Sequence, residues 1–402
     1  MNESLRGQPR LLLAVNGLFV LSGALAGTFL NVYLWKSRQD YIMIGWFTVA
    51  QQIALGLSFW LGGKWVKEFN KMNALRLGIA VSGLFYLLVL WLESRVVDYV
   101  WPLGALLGVA LGLFWLAFNI VFFETTGPGN RNAFNGWVGL LGSLAGIVGP
   151  WLSGWLISAM HGNRGYRVVF IISLCIYGVA AVLSFFLKKR KTPGEYQWLE
   201  PWHELQSEDR DWRVMGAGLV FQGLREGVFS FLIGLLVYIA AQEESKLGQF
   251  TLITSAVSLV CYWAAGKWLK PKYRSAGMFW GALLLVAVIV PMLWTVNYGT
   301  LLIMGIGTSL FIPLYMLPMV SSSFDLMGES KESAGMRVEL IVLRELCLMT
   351  GRLAGTLIFI GVLSASAAPR TVTLLLLGLG AAPLGSWFCL RRMLHKNIVP
   401  ER

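Results

Sequence analysis

Six ionisable residues fall inside long apolar stretches of this 402-residue chain: Arg225, Glu226, Glu339, Arg344, Glu345 and Arg352. A charge at the middle of a membrane helix costs about 2.5–3.5 kcal/mol, so such residues face a polar cavity or one another. Three acids against three bases sum to zero, as pairing requires. Glu345 and Arg352 are seven residues apart, which puts them on one helix face about 10 Å apart along the axis. Arg337 and Arg344 share a neighbouring face in the same way. Two kinds of chemistry suit the set. A carboxyl group changes its proton affinity with its surroundings, since burial raises its pKa and a nearby arginine lowers it. An arginine grips a carboxylate, phosphate or sulfate through two N–H groups at once. Glu226, in mid-stretch, is the first candidate for a proton carrier, followed by Glu345 and Glu339. Arg344, Arg352 and Arg225 are the candidate ligands of an oxyanion. The competing assignment is a set of fixed ion pairs that holds two helices together.

The elements that carry these residues are membrane spans. Hydrophobic residues make up 56% of the chain and Asp, Glu, Lys and Arg only 13%, against about 25% charged in a soluble domain. Mean hydropathy is +0.64, which sets a soluble enzyme aside. A crossing takes about 20 residues. Apolar runs bounded by charges, turns or polar clusters give twelve of them: 11–35, 42–63, 75–92, 99–123, 133–158, 167–187, 213–240, 247–266, 275–296, 299–323, 337–363 and 371–390. With the N-terminus in the cytoplasm, 23 of the 33 Lys and Arg fall on cytoplasmic segments, seven on the opposite side and three within spans. This bias puts both termini inside. The net charge of +12 therefore points to anionic headgroups and topology rather than to nucleic acid. The four cysteines, at 175, 261, 347 and 389, show no CxxC pair. No metal-ligand spacing, Walker motif or cofactor signature is present, and no cofactor or enzymatic activity is expected.

A polar run at 188–212 divides the chain into an N-terminal six-helix bundle (1–187) and a C-terminal one (213–402) with a short tail. The halves resemble each other. At an offset of 203, residues 47–67 lie over 250–270, with Phe47/Phe250, Thr48/Thr251, Trp60/Trp263, Gly63/Gly266, Lys64/Lys267, Trp65/Trp268 and Lys67/Lys270 identical. Two six-span halves in the same orientation form a parallel membrane repeat.

On these grounds the chain resembles the major facilitator superfamily. Gly62 and the basic residues of GGKWVKEFNKMNALR (62–76) sit where that family carries its loop 2–3 signature, with Val66 and Lys67 in place of the usual Asp-Arg. Gly62, Lys64 and Lys67, with Gly266 and Lys267 of the matching second-half segment AAGKWLKPKYR (264–274), are therefore gating candidates. GSLAGIVGPWLSGW (142–155) is similar to the Gly-Pro pattern of the family's proton-driven exporters, through Gly142, Gly146, Gly149, Pro150 and Gly154. Gly142 and Gly146, one turn apart, allow close helix contact, and Pro150 bends the span. The resemblance implies an all-α protein of twelve helices in two parallel repeats. It also implies that the seventh and eleventh helices approach a cavity shared by the halves.

Polar residues of the first half are candidate lining for that cavity: Asn16, Asn31, Gln51, Gln52, Asn119 and Asn135. Glu124 and Asp325, at matching ends of the fourth and tenth spans, are expected to act as gate contacts with Arg131 and Lys331. Arg337 belongs at the same edge. The function expected is alternating-access transport with protons as coupling ion, in the export direction. The cargo is a small amphipathic or anionic solute, and the protein works as a monomer among membrane lipids in a cell membrane of the bacterial cytoplasmic type. Proton-coupled uptake of an organic anion, movement of a lipid-like substrate, and a non-transporting receptor on the same scaffold remain alternatives.

Overall fold

The computed structural model describes residues 7–125, 131–160, 163–188, 194–206, 210–328 and 335–396. Among the described residues every regular element is helical. The chain packs into two units, Met1–Trp198 with Glu243–Leu252, and Leu199–Gln242 with Ile253–Arg402. The first six long helices are α1 (Gln8–Arg38), α2 (Tyr41–Glu68), α3 (Lys71–Leu92), α4 (Val100–Thr125), α5 (Arg131–Ala159) and α6 (Arg164–Ser184). The second set is α7 (Arg210–Ala241), α8 (Glu244–Trp268), α9 (Arg274–Ala287), α10 (Tyr298–Gly328), α11 (Arg337–Ala365), α12 (Pro369–Gly380) and α13 (Ala382–Lys396).

Among the described residues, eleven stretches are long and apolar enough to cross a membrane. One of them, Lys71–Phe122, runs for 52 residues, and a single helix of that length would measure about 78 Å. It is instead a hairpin. A 3₁₀ turn at Glu93–Tyr99 separates α3 from α4, and a Cβ on Gly78, early in α3, would lie 2.6 Å from the backbone nitrogen of Phe114, late in α4. Splitting it gives twelve crossings. The twelfth is broken at Ala381 into α12 and α13.

Local signals explain the ends. Asp40 caps α2, its carboxylate accepting from the N–H of Ile42 at 2.8 Å and of Met43 at 3.3 Å. Asn70 caps α3 by accepting from Met72 N–H. Such caps satisfy donors that the first helical turn leaves open. Gln39 closes α1 in the left-handed region, with φ 51°, and donates its N–H to Trp35 O at 2.7 Å. Gln242 closes α7 in the same way, with φ 56° and its N–H on Tyr238 O at 2.7 Å. Both residues of this pair, and both acceptors, are separated by the 203 positions of the sequence repeat.

Within unit 1, α4 presents Gly104, Gly108 and Gly112 to α2. A Cβ at Gly104 would stand 2.4 Å from Phe47 O and one at Gly108 2.2 Å from Gln51 O. Without a hydrophobic drive between helices in lipid, such small-residue faces set the closeness of packing. The start of α8 joins the same unit through a glycine pair. A Cβ on Gly154 of α5 would sit 3.1 Å from Gly248 Cα. Outward-facing tryptophans such as Trp91, Trp155, Trp263, Trp280 and Trp294 are exposed, as suits a lipid-facing surface with anchored ends.

The expectation of a close contact at Gly142 is corrected. A Cβ there would meet nothing within 4 Å, and α5 makes its tight approaches at Gly149, against Ala24 and Leu25 of α1, and at Gly154. We expect Gly108→Val to destabilise the protein by about 1–3 kcal/mol through overpacking and to lower its melting temperature in detergent. Gly139→Ala, where the added methyl meets open space, is expected to leave it unchanged.

Candidate functional site

In unit 2, α7 and α11 touch backbone to backbone. Gly223 and Gly227 on α7 face Gly351 and Gly355 on α11. A Cβ on Gly223 would fall 2.3 Å from Leu348 O, one on Gly227 2.4 Å from Arg352 O, and one on Gly355 2.3 Å from Leu224 O. No residue other than glycine fits these four positions without moving a helix. Thr356 adds a side-chain bond, donating to Gly227 O at 3.3 Å and to Arg352 O at 2.8 Å.

The membrane charges gather at this crossing. Arg352 donates from Nε and Nη2 to Glu226 Oε2, at 3.1 and 2.9 Å, and from Nη1 to Glu345 Oε1 at 2.6 Å. One guanidinium therefore holds two carboxylates from two helices. Glu226 Oε1 accepts a further bond from Gln222 Nε2 at 2.6 Å, one turn earlier on α7. All three groups are largely shielded, with side-chain exposures of 20% for Arg352, 29% for Glu226 and 13% for Glu345. The seven-residue spacing of Glu345 and Arg352 is thus bridged by the two long side chains.

Arg225 and Arg344 behave differently. Arg225 is buried, its Nε has no hydrogen-bond partner, and its guanidinium lies 4.3 Å from the centre of the Phe229 ring. Arg344 likewise has an Nε without a partner and lies 5.8 Å from the Phe324 ring. Neither reaches a carboxylate in an ion pair among the described residues. Aromatic faces stabilise a cation without neutralising it. With both glutamates ionised, the five residues carry a formal charge of +1. Arg225 and Arg344 therefore carry charge that no described carboxylate pairs with, and Arg352 is occupied as the clamp. Glu339, the third residue of α11, is fully buried six residues before Glu345. Arg337 begins the helix.

The gating candidates are distributed. A Cβ on Gly62 would meet Leu116 and Leu113 of α4 at 3.1 and 3.2 Å, whereas Gly266 faces open space. Lys64 lies 3.8 Å from Glu68 and 5.8 Å from the Trp198 ring. Lys67 is buried. Lys267 sits 5.4 Å from the Trp263 ring. Tyr196 of the linker donates its N–H to Glu68 at 3.1 Å and packs on Gly63, so this part of the linker lies against the end of α2. The expected partners of the helix-end acids, the Arg131 side chain and Lys331, lie outside the described residues, and the acids make other pairs. Glu124 pairs with the buried Lys71, and Asp325 pairs with Arg274 at 3.1 Å. The reason is the hairpin, which lays the end of the fourth helix of each half beside the first residue of the third. Lys71 and Arg274 are again 203 residues apart.

Of the first-half polar residues, Asn31, Gln51 and Asn119 are half-buried on α1, α2 and α4. Asn16 is buried with neither amide atom partnered, as is Gln52 Oε1. The side chains of Arg131 and Asn135, and Lys331, lie outside the described residues. Pro150 lies within α5, beside Gly149. Gln222 and the four crossing glycines are the participants that charge-based reading passes over. Their signal is present as glycines four apart in GLREG (223–227) and GRLAG (351–355), the first enclosing two charges and the second one.

Residues 12–336 match the sequence profile of the Major Facilitator Superfamily. The chain is 38% identical over 349 residues to an uncharacterised protein, YqgE, of Bacillus subtilis (strain 168), covering 87% of this chain and 81% of that one. It is also 38% identical over 185 residues to an uncharacterised protein from the sodM 3′ region of Geobacillus stearothermophilus, covering 46% of this chain and 86% of that one. Among solved structures, the human organic anion transporter MFSD10 (TETRAN) is similar with a TM-score of 0.70 at 15% identity, over 97% of this chain and 100% of that one. A bacterial homologue of the iron transporter ferroportin, in its outward-facing state, gives a TM-score of 0.68 at 14% identity, over 96% and 99%. At these identities the likeness to both structures is one of fold.

Breaking the clamp leaves carboxylates without their cation. Arg352→Gln is expected to cost on the order of 3 kcal/mol, and the triple variant Glu226→Gln/Glu345→Gln/Arg352→Gln to recover most of it. Thermal unfolding of the purified variants checks both.

Proposed function

Because the chain belongs to the major facilitator superfamily, we propose that this membrane transporter works by alternating access and moves a small organic anion together with protons. The observation that carries this reading is the division of labour among the arginines of α7 and α11. One is saturated by two glutamates, and two, Arg225 and Arg344, pair with none among the described residues. The unmatched pair supplies the cargo's counter-charge, and Glu226 and Glu345 supply the exchangeable protons.

Electrostatics gives the coupling its sign. Protonating Glu226 or Glu345 raises the local charge from +1 to +2, which strengthens the hold on an anion. An anion that draws Arg352 away from Glu226 in turn raises that carboxyl group's proton affinity. Anion and proton favour each other's binding, and by linkage each strengthens the other equally. This supports symport over exchange. The organic anions handled by the similarly folded human MFSD10 are consistent with the same cargo class. Proton-driven export remains the second reading, favoured by the Gly149–Pro150 pattern in α5. The close approach of Gly149 to α1 gives those residues a packing role of their own. The 38% identity to a Bacillus protein supports a bacterial cell membrane, and the Lys and Arg bias supports both termini on its cytoplasmic side.

The test uses the full-length protein in liposomes and a panel of radiolabelled carboxylates, sulfonates and phosphate monoesters. An imposed proton gradient is expected to drive one class of anion in the direction of proton flow. Arg225→Gln is expected to reduce that flux at least tenfold. Glu226→Gln is expected to lose the gradient's stimulation while keeping downhill movement. Anion movement opposite to the proton flow would establish the export reading instead, and unchanged coupling in Glu226→Gln would remove that residue from the proton path.

A further inference from the structure

A second basic site lies away from the ion cluster, at the opposite approach to α7. The first turns of α7 and the last turns of α13 border an open cavity of about 580 Å³. Arg213, Arg391 and Arg392 line it together with apolar residues that include Val214, Ala217 and Phe388. Among the described residues no acidic side chain lines it. The Arg391 guanidinium is stacked 4.3 Å from the Phe388 ring and lies 5.9 Å from that of Trp387, which holds the charge at a fixed place over the groove. Phe388 is itself 61% exposed.

The groove continues along the apolar surface of the helices. Val214, Ala217 and Phe221 recur at helical spacing on one face of α7, and Phe221 is partly exposed. A Cβ on Gly385 of α13 would lie 2.6 Å from the Phe221 ring, so the two helices close against each other below the arginines. Arg213 and Phe221 are eight residues apart, about 12 Å along the axis. The site thus has guanidinium groups at its mouth and a hydrocarbon-like track beneath. Arginine suits phosphate through paired N–H donors, and basic recesses between spans are where acidic headgroups settle.

We propose that this groove binds the headgroup of an anionic phospholipid, with an acyl chain lying along α7 and α13. The three arginines bring positive charge, the facing lipid brings its phosphate, and the apolar track receives what a free phosphate lacks. The site is independent of the transported cargo and of the coupling reaction.

The experiment uses full-length protein purified in mild detergent and reconstituted in nanodiscs of phosphatidylcholine alone or with 20 mol% phosphatidylglycerol (roughly one headgroup in five). Native mass spectrometry counts retained lipid, and the melting temperature is read in parallel. Retained phosphatidylglycerol is expected to exceed phosphatidylcholine several-fold. Arg391→Gln/Arg392→Gln is expected to lose most of that preference, and Lys270→Gln/Lys272→Gln, a control of equal charge at another loop, to keep it. Should the arginine pair variant fail to fold, Ala217→Trp fills the track and is expected to reduce the retained lipid without altering charge. Equal retention of the two lipids, a preference lost equally in the lysine control, or full competition by millimolar inorganic phosphate would each overturn the proposal.

Discussion

The constraint on which the rest depends is one arginine shared by two carboxylates at a point where two helices touch. In a low-dielectric surrounding an isolated ion is costly, and removing one partner from such a group leaves the others exposed to that cost. Arg352 meets the condition through three N–H donors, and Gln222 occupies the remaining oxygen of Glu226. The glycines of α7 and α11 make this possible, because any side chain at Gly223, Gly227 or Gly355 would push the helices beyond the reach of the clamp. Ion pairing and backbone contact are therefore a single device. Neither explains the geometry alone.

The device appears once in a scaffold built twice. The turn at Gln39 recurs at Gln242, and the bond between the start of the third helix and the end of the fourth recurs as Lys71–Glu124 and Arg274–Asp325. The first and fifth helices of the first half also cross closely, at Ala24 and Gly149, where no charge is present. Structural bonds follow the repeat, and the chemistry does not. That asymmetry separates bonds that recur with the repeat from the charge cluster that belongs to the second half alone, without recourse to any relative.

Much of this was legible in the sequence. Length and apolarity alone produce the twelve spans, because lipid permits few alternatives to a helix. The seven-residue spacing of Glu345 and Arg352 anticipates their pairing, since both periodicity and side-chain reach are known. Partners that depend on which helices neighbour each other were not legible. Glu124 meets Lys71 across a hairpin 53 residues long in sequence separation, which no local pattern reports. Spacing in α5 suggested Gly142 as a contact, but helical periodicity gives a face and not the neighbour on it. The same limit concealed which arginine would be consumed by the glutamates and which two would be left over.

Contact between α7 and α11 also restricts how the protein changes state. With main chains packed against each other at Gly223, Gly227 and Gly355, the pair has no intervening layer of side chains along which to slide. Its inexpensive movements are rotations of long side chains, which run on picosecond to nanosecond timescales when unhindered. The side chains of Arg352, Glu226 and Glu345 can therefore re-pair while the two helices stay together as one stiff strut, and any larger rearrangement is left to other joints.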